Sequence, residues 1–478
     1  MKGALILLVC TQVSAAPVVV GSKKFTESVI LGELAAQAID DGAIHRRELG
    51  GTQILFHALE RGDIDLYPEY TGTLSDEILA GLREPAAMEQ ALVQRGIRMT
   101  GPLGFNNTYA IGMKEELAAR LTIRTLSDLV RNPQLRLGFS DEFLQRADGW
   151  PALRSRYGLP QTDVRGLDHD LAYRALDRGA LDAIDLYSTD AEIRAYRLRV
   201  LLDDRGIFPR YEAVFIYRAD LTKRAPDAAR ALQTLVGRLD ESTMIGLNAR
   251  AKLEHVTEKR VAHEFLAPGT PLATEPSRLA ELGHHTRDHL WLFALSLSLA
   301  ILIAVPLGIS AARFPRFGQL VLATVGIVQT VPSLALLVFM IPLLGIGAPP
   351  AIAALFFYSL LPIVRNTYTG LRTIPPELIE SAEALGLPRR QRLFWIELPL
   401  ASRTLVAGIK TAAVINVGTA TLGAIIGAGG YGQPILTGIR RDDWAEILSG
   451  AIPAALLAIA VQGLFELVER RIVPRGLR

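Results

Sequence analysis

Two patterns divide the chain. Up to about Asp288 apolar and charged residues alternate over short distances; beyond it, charge retreats into small clusters between long apolar runs. The first region opens on PVVVG (17–21), a short strand, and Ser22 precedes a helical stripe of Val29, Ile30, Leu34 and Ile39. Further strand-like stretches fall at 64–67, 135–139, 183–187 and 213–217. Strands that feed helices, repeatedly, predict an α/β unit with ligands near the strand ends. The second region holds five apolar segments, about 290–310, 320–345, 350–371, 401–427 and 447–468, each near the length that crosses a bilayer. Pro306, Pro332, Pro342, Pro362 and Pro453 would break soluble helices but are tolerated in a polytopic bundle. Gly308, Gly326, Gly408 and Gly418 predict close helix contacts. Lys410 is expected to snorkel to the interface.

An internal echo refines the first region. Residues 58–67 read ALERGDIDLY and 175–187 read ALDRGALDAIDLY: in each, a helix ends at Arg-Gly and a strand then ends on Tyr. Two such units predict a two-lobed clamshell, lobe one about 18–107 plus 212–265 and lobe two about 108–211. Residues 267–277, with three prolines, read as a stiffened tether within a linker that reaches 288, and Leu279–Arg287 as a short helix on the membrane surface. Residues 1–16 read as a cleaved secretory signal that removes Cys10, the one cysteine. Val9 is too bulky to precede a lipidated cysteine.

Composition mainly excludes. A net charge of +2 and the lack of a basic stripe or zinc-finger spacing argue against nucleic acid. There is no G-x-S-x-G elbow and no H-E-x-x-H, and His45, His57 and His169 have no ligand spacing, so neither catalysis nor a metal is predicted. GAGGYGQP (427–434) is no Walker A, so no cofactor is expected in this chain and any ATP would be hydrolysed elsewhere. With the first region outside, five crossings bring the C terminus inside. Arg313, Arg316, Arg372, Arg389, Arg390, Arg392 and Arg403 then face the cytoplasm, as the positive-inside rule requires.

The same topology places ESAEALGLPRRQRLFWIELP (380–399), a polar segment between apolar runs, on the cytoplasmic side. The order Glu380, Ala382, Gly386, Ile396, Leu398, Pro399 resembles the EAA coupling loop of bacterial ABC importer permeases, with Ser381 where the family usually has Ala. The resemblance implies a cytoplasmic ABC ATPase partner in two copies and a homodimer of this chain in the inner membrane.

The first region in turn resembles the substrate-binding proteins for glycine betaine, carnitine and choline, over GSKKFTE (21–27), DLYPEYTGT (65–73), FNNTYA (105–110), FLQRADG (143–149), DLYSTD (185–190) and FPRYEA (208–213). It implies a tyrosine cage of Tyr70, Tyr109, Tyr187 and Tyr211, and Lys23, Thr73 and Arg146 for a carboxylate; Asn107 stands where some relatives carry a cage-adjacent Asp. The chemistry suits the residues. A quaternary ammonium has no N–H to recognise, whereas each aromatic face attracts it by about 0.5–2 kcal/mol. Arg146 offers a forked pair of donors to a carboxylate, which favours a betaine over choline. Tyr67, close to Tyr70, reads as structure, and Asp185 and Asp190 either cap turns or brace the cage. The expectation is thus an α/β two-lobed periplasmic-binding-protein clamshell followed by an all-α polytopic permease. Its expected role is to import a quaternary-ammonium compatible solute, glycine betaine first, with choline, carnitine or ergothioneine as alternatives. A tethered sensor is the competing class.

Overall fold

The computed structural model describes residues 17–39, 43–147, 149–208, 210–272 and 277–473; the predicted signal segment lies outside them. Two five-stranded sheets organise the first region among the described residues. The first comprises β1 (Val19–Gly21), β2 (Ile44–Arg46), β3 (Leu66–Tyr70), β4 (Ile97–Met99) and β10 (Ala213–Arg218), in the order β2-β1-β3-β10-β4. The second comprises β5 (Tyr109–Lys114), β6 (Leu137–Ser140), β7 (Val164–Leu167), β8 (Ala183–Tyr187) and β9 (Leu198–Val200), in the order β7-β6-β8-β5-β9. Each sheet has a parallel core, and the strand beside β3 or β8 runs antiparallel because it comes straight from a crossing between lobes. The two crossings pair with each other at Asn106 and Glu212. That pairing forms the hinge.

The echoed units end as their turn chemistry requires. Helix α1 (Thr26–Ile39) is buried on nearly every face, and α2 (Thr52–Arg61) closes at Gly62, left-handed at φ 84. Strand β3 then ends on Tyr70 and not on Tyr67, whose side chain is wholly buried in the core. In the other lobe α3 (His169–Asp177), capped by Asp168, feeds β8, which ends on Tyr187. Helices α4 (Glu241–Lys252) and α5 (Glu258–Leu266) return to lobe one, where α5 packs on α1.

In the second region α6 (Arg278–Arg313) is one continuous helix of 36 residues, capped by Ser277. No separate surface helix exists at 279–287, because nothing between Leu279 and Trp291 interrupts helical pairing. The second apolar segment is broken into α7 (Pro315–Thr330) and α8 (Ser333–Leu344), bent by 99° where Pro332 withholds an N–H. The pair still joins the two ends of the bundle: α7 starts beside the end of α6, and Gly345 after α8 lies against Asp63 of the binding region. Helices α9 (Ala348–Arg372), α10 (Pro376–Ala384), α11 (Leu398–Ala420), α12 (Gly432–Arg441) and α13 (Trp444–Ile472) follow. Among the described residues, four helices are long and apolar enough to cross a membrane, five spans if the bent pair is one.

Helices α6, α9 and α11 form the packed centre. A Cβ on Gly308 would lie 2.6 Å from Thr367, and one on Gly408 2.5 Å from Asn366, so these two glycines let helices touch; Gly326 and Gly418 face open space. At the core, Asn416 Nδ2 donates to Ser296 Oγ and Ser359 Oγ, both at 3.0 Å, tying the three helices together. Lys410 does not snorkel alone: its ammonium meets Glu466 of α13 at 3.1 Å.

Candidate functional site

The strand register brings the tyrosines together. Tyr109 opens β5 directly opposite Tyr187 at the end of β8, and Tyr70 ends β3 opposite Ala213, two residues after Tyr211. Ring centroids stand 5.1 Å apart for Tyr109 and Tyr187, and 5.8 Å, edge-on, for Tyr109 and Tyr211. Tyr70 joins through Phe25, 6.2 Å from it and 5.6 Å from Tyr187. Phe143 and Phe208 close the far side at 5.0 and 6.4 Å from Tyr109. The sequence reading missed Phe25, Phe143 and Phe208, although all three lie within the quoted motifs. The rings are in mutual contact and the space left beside Phe25 and Tyr187 is about 10 Å3, room for at most about one water. Anything larger than a water fits between these rings only if the lobes part.

The polar residues divide. Arg146 lies against the Tyr109 ring at 5.4 Å, with Glu77 of the other lobe 3.9 Å away. Lys23 is 5.8 Å from the Tyr70 ring, but its ammonium is held 2.5 Å from buried Glu69 and 2.8 Å from Thr52 Oγ1. Thr73 is buried one turn beyond Tyr70.

The most connected group is one that sequence reasoning passed over. Glu27, in the first turn of α1, accepts from Tyr70 OH at 2.6 Å, Asn107 Nδ2 at 2.7 Å, Thr189 Oγ1 at 2.5 Å and Asn248 Nδ2 at 3.0 Å. These donors come from β3, the hinge, lobe two and α4. Asn248 also donates to the Thr189 carbonyl, so the carboxylate sits on the seam between lobes. Burial pushes its pKa up despite the four donors. The same contact explains Asn107: an aspartate there would set a second carboxylate 2.7 Å from the first.

Asp190 braces the end of β8 at Tyr187. It accepts from the Tyr187 N–H at 2.9 Å, Tyr173 OH at 2.6 Å and His169 Nε2 at 3.0 Å, while the His169 ring lies 4.6 Å from that of Tyr187. Asp185 instead ties β8 to β6 through the Ser140 N–H and hydroxyl. Burial opposes charge on His169, but Asp190 and Asp185 outweigh it and lift its pKa to about 9. Since that lies above the ordinary 6.5, the stabilisation is complete below about pH 6.5 and lost as pH rises through 9. Unfolding free energy is expected to fall by about 3 kcal/mol across that interval. His169→Gln should flatten the profile in denaturant titrations of the purified protein.

At the opposite end of the bundle, α10 buries Ala382, and Gly386, left-handed at φ 73, reverses the chain. Residues 389–397 lead back into α11, with Ile396 and Leu398 half-buried and Pro399 in its first turn. Arg392 bridges Glu383 and Glu397, and Arg313 reaches Glu397 at 3.3 Å, fixing the segment to the end of α6. Glu380 lines a groove with Arg313 and Arg372, while Leu385 at the tip is 80% exposed.

Comparison with known proteins agrees with this division. Residues 16–268 match the family described as the substrate-binding domain of ABC-type glycine betaine transport systems (OpuAC). The chain belongs to that family. Residues 304–475 match the binding-protein-dependent transport system inner membrane component. The permease half is 42% identical to the glycine betaine/carnitine/choline permease OpuCB of Bacillus subtilis, over 41% of this chain and 91% of that protein. The ergothioneine permease/binding protein EgtU of Helicobacter pylori is 32% identical over 56% of this chain and half of its own length. Among solved structures, a glycine betaine/carnitine/choline ABC transporter matches at TM-score 0.46 and 30% identity, covering 52% of this chain and 97% of that one. The chain is thus a fused substrate-binding and permease subunit of a betaine-, choline-, carnitine- or ergothioneine-type ABC importer. It is a multi-pass inner-membrane protein that works with an ATPase partner.

Proposed function

We propose that the cage captures a quaternary-ammonium compatible solute, glycine betaine first, on the outer side of the membrane and that the same chain passes it inward. The ring cluster of Tyr70, Tyr109, Tyr187 and Tyr211 with Arg146 against Tyr109 supports this reading: aromatic faces suit the trimethylammonium and a guanidinium suits the carboxylate. The Lys23 charge is offset by Glu69, so carboxylate recognition falls chiefly to Arg146. Two copies of the chain with two cytoplasmic ATPases form the working unit. ATP binding in the partner acts through Glu380–Gly386, and the C terminus is cytoplasmic.

Calorimetry on the purified full chain with glycine betaine, carnitine, choline and ergothioneine tests the ligand. Betaine is expected to bind tightest, whereas choline winning outright would remove Arg146 from the carboxylate role. Leu385→Asp tests the coupling role. It puts a charge on the exposed tip where nothing in this chain packs, so solute affinity and melting should hold. Solute-stimulated ATP hydrolysis by the reconstituted complex is expected to fall about tenfold or more.

A further inference from the structure

Lobe one meets the permease through a buried apolar cluster and several buried polar contacts. Leu49, Leu55 and Phe56 share a buried cluster with Leu336, Leu337, Ile341 and Ile426, and Arg61 Nη1 donates to the Pro342 carbonyl at 2.6 Å. Glu48 accepts from Gln433 Nε2 at 2.6 Å, Thr437 Oγ1 at 3.1 Å and Arg440 Nε at 2.6 Å. Arg440 also donates to Glu258 at 2.7 Å and to Thr26 Oγ1 at 3.2 Å, next to Glu27. The next residue, Arg441, donates to the His255 carbonyl at 2.5 Å.

One residue further the partner changes. Asp442, left-handed at φ 54, turns the chain toward lobe two and meets Arg174 Nη2 of α3 at 2.5 Å. Three consecutive permease residues therefore touch both lobes. The contacts differ in kind. Arg440 is 4% exposed between carboxylates that are 2–3% exposed, a pair whose rupture strands buried charge. Arg174 and Asp442 are 23% and 52% exposed, a contact that water readily replaces. Beside them Lys252 of α4 reaches Asp170 and Glu192 of lobe two, both at 2.5 Å, around a cavity of about 190 Å3.

We propose that the Arg440–Asp442 turn is a closure reader: Arg440 anchors the permease permanently to lobe one, and Asp442 engages Arg174 of lobe two only when the clamshell is shut. The turn thus tells the permease whether the binding domain is closed. The inference rests on the importer reading above, but the relation of the turn to the lobes can be measured without a solute.

The test uses the full chain with Cys10→Ser, carrying either Arg174→Cys with Asp442→Cys or Glu48→Cys with Gln433→Cys, and a short bis-maleimide. In the second pair Arg440 keeps Glu258. Lobes are pushed apart by Lys252→Glu, which faces Asp170 and Glu192, or by Gly51→Trp. The latter acts at a separate seam, since a Cβ on Gly51 would lie 2.9 Å from Glu142. Cross-linking at 174/442 is expected to fall about tenfold in both opening variants, while 48/433 holds and reports intact folding. Equal 174/442 yields in closed and opened chains, or parallel loss at both pairs, would overturn the proposal. If opening lowers the 174/442 yield but none of glycine betaine, carnitine, choline or ergothioneine raises it in the parent, the reader stands and the ligand assignment fails.

Discussion

Glu27→Ala is expected to lower the unfolding free energy by about 3 kcal/mol and to abolish measurable solute binding. The cost arises because Tyr70, Asn107, Thr189 and Asn248 all aim donors at this buried carboxylate. Glu27→Gln is nearly isosteric, yet whichever oxygen it replaces, the new N–H2 faces one amide nitrogen and one hydroxyl that both donate there, so it should recover little of the loss. Denaturant titration gives the stability term and calorimetry the binding term. Full betaine affinity in Glu27→Gln would show that the seam tolerates a donor and that Glu27 does not set the position of Tyr70.

Tyr187→Ala is the second large effect. Its ring contacts Phe25, Tyr109 and His169, and in the proposed cage it also faces the ammonium. Losing one face removes about 0.5–2 kcal/mol of cation–π attraction, and the loosened cage removes more, so affinity for glycine betaine should fall roughly 100-fold. Tyr187→Phe keeps the ring and should bind within about threefold of the parent. An alanine variant that binds like the parent would place the ammonium elsewhere.

The parts of this architecture written in local pattern were legible. Strand 183–187 and the strand from 213 are apolar runs of the right length, and the apolar segments after Asp288 match the observed helices closely. Where Pro or a distant partner decides, pattern failed. The sequence predicts a strand at 64–67, whereas β3 runs Leu66–Tyr70 with Pro68 inside it; its ladder to β1 ends at Leu66, so the missing N–H costs nothing on that side. The sequence pattern treats Pro332 as tolerated within one apolar segment, whereas the chain bends there by 99°. The pairing of Lys23 with Glu69, 46 residues away, has no local signature in the sequence. Glu27 and His169 take their roles from partners distant in sequence: both lobes supply those of Glu27, and Asp190 and Asp185 of lobe two supply those of His169. One hint was available for Glu27, a lone carboxylate opening a helix otherwise apolar from Val29 to Leu34 apart from Glu33.

Transport is the central claim, and uptake measures it directly. The purified chain, reconstituted in proteoliposomes with its ATPase partner and ATP on the ATPase side, should accumulate labelled glycine betaine, and Tyr187→Ala should not. Tight binding with no ATP-dependent accumulation would contradict the account and make the chain a tethered solute sensor.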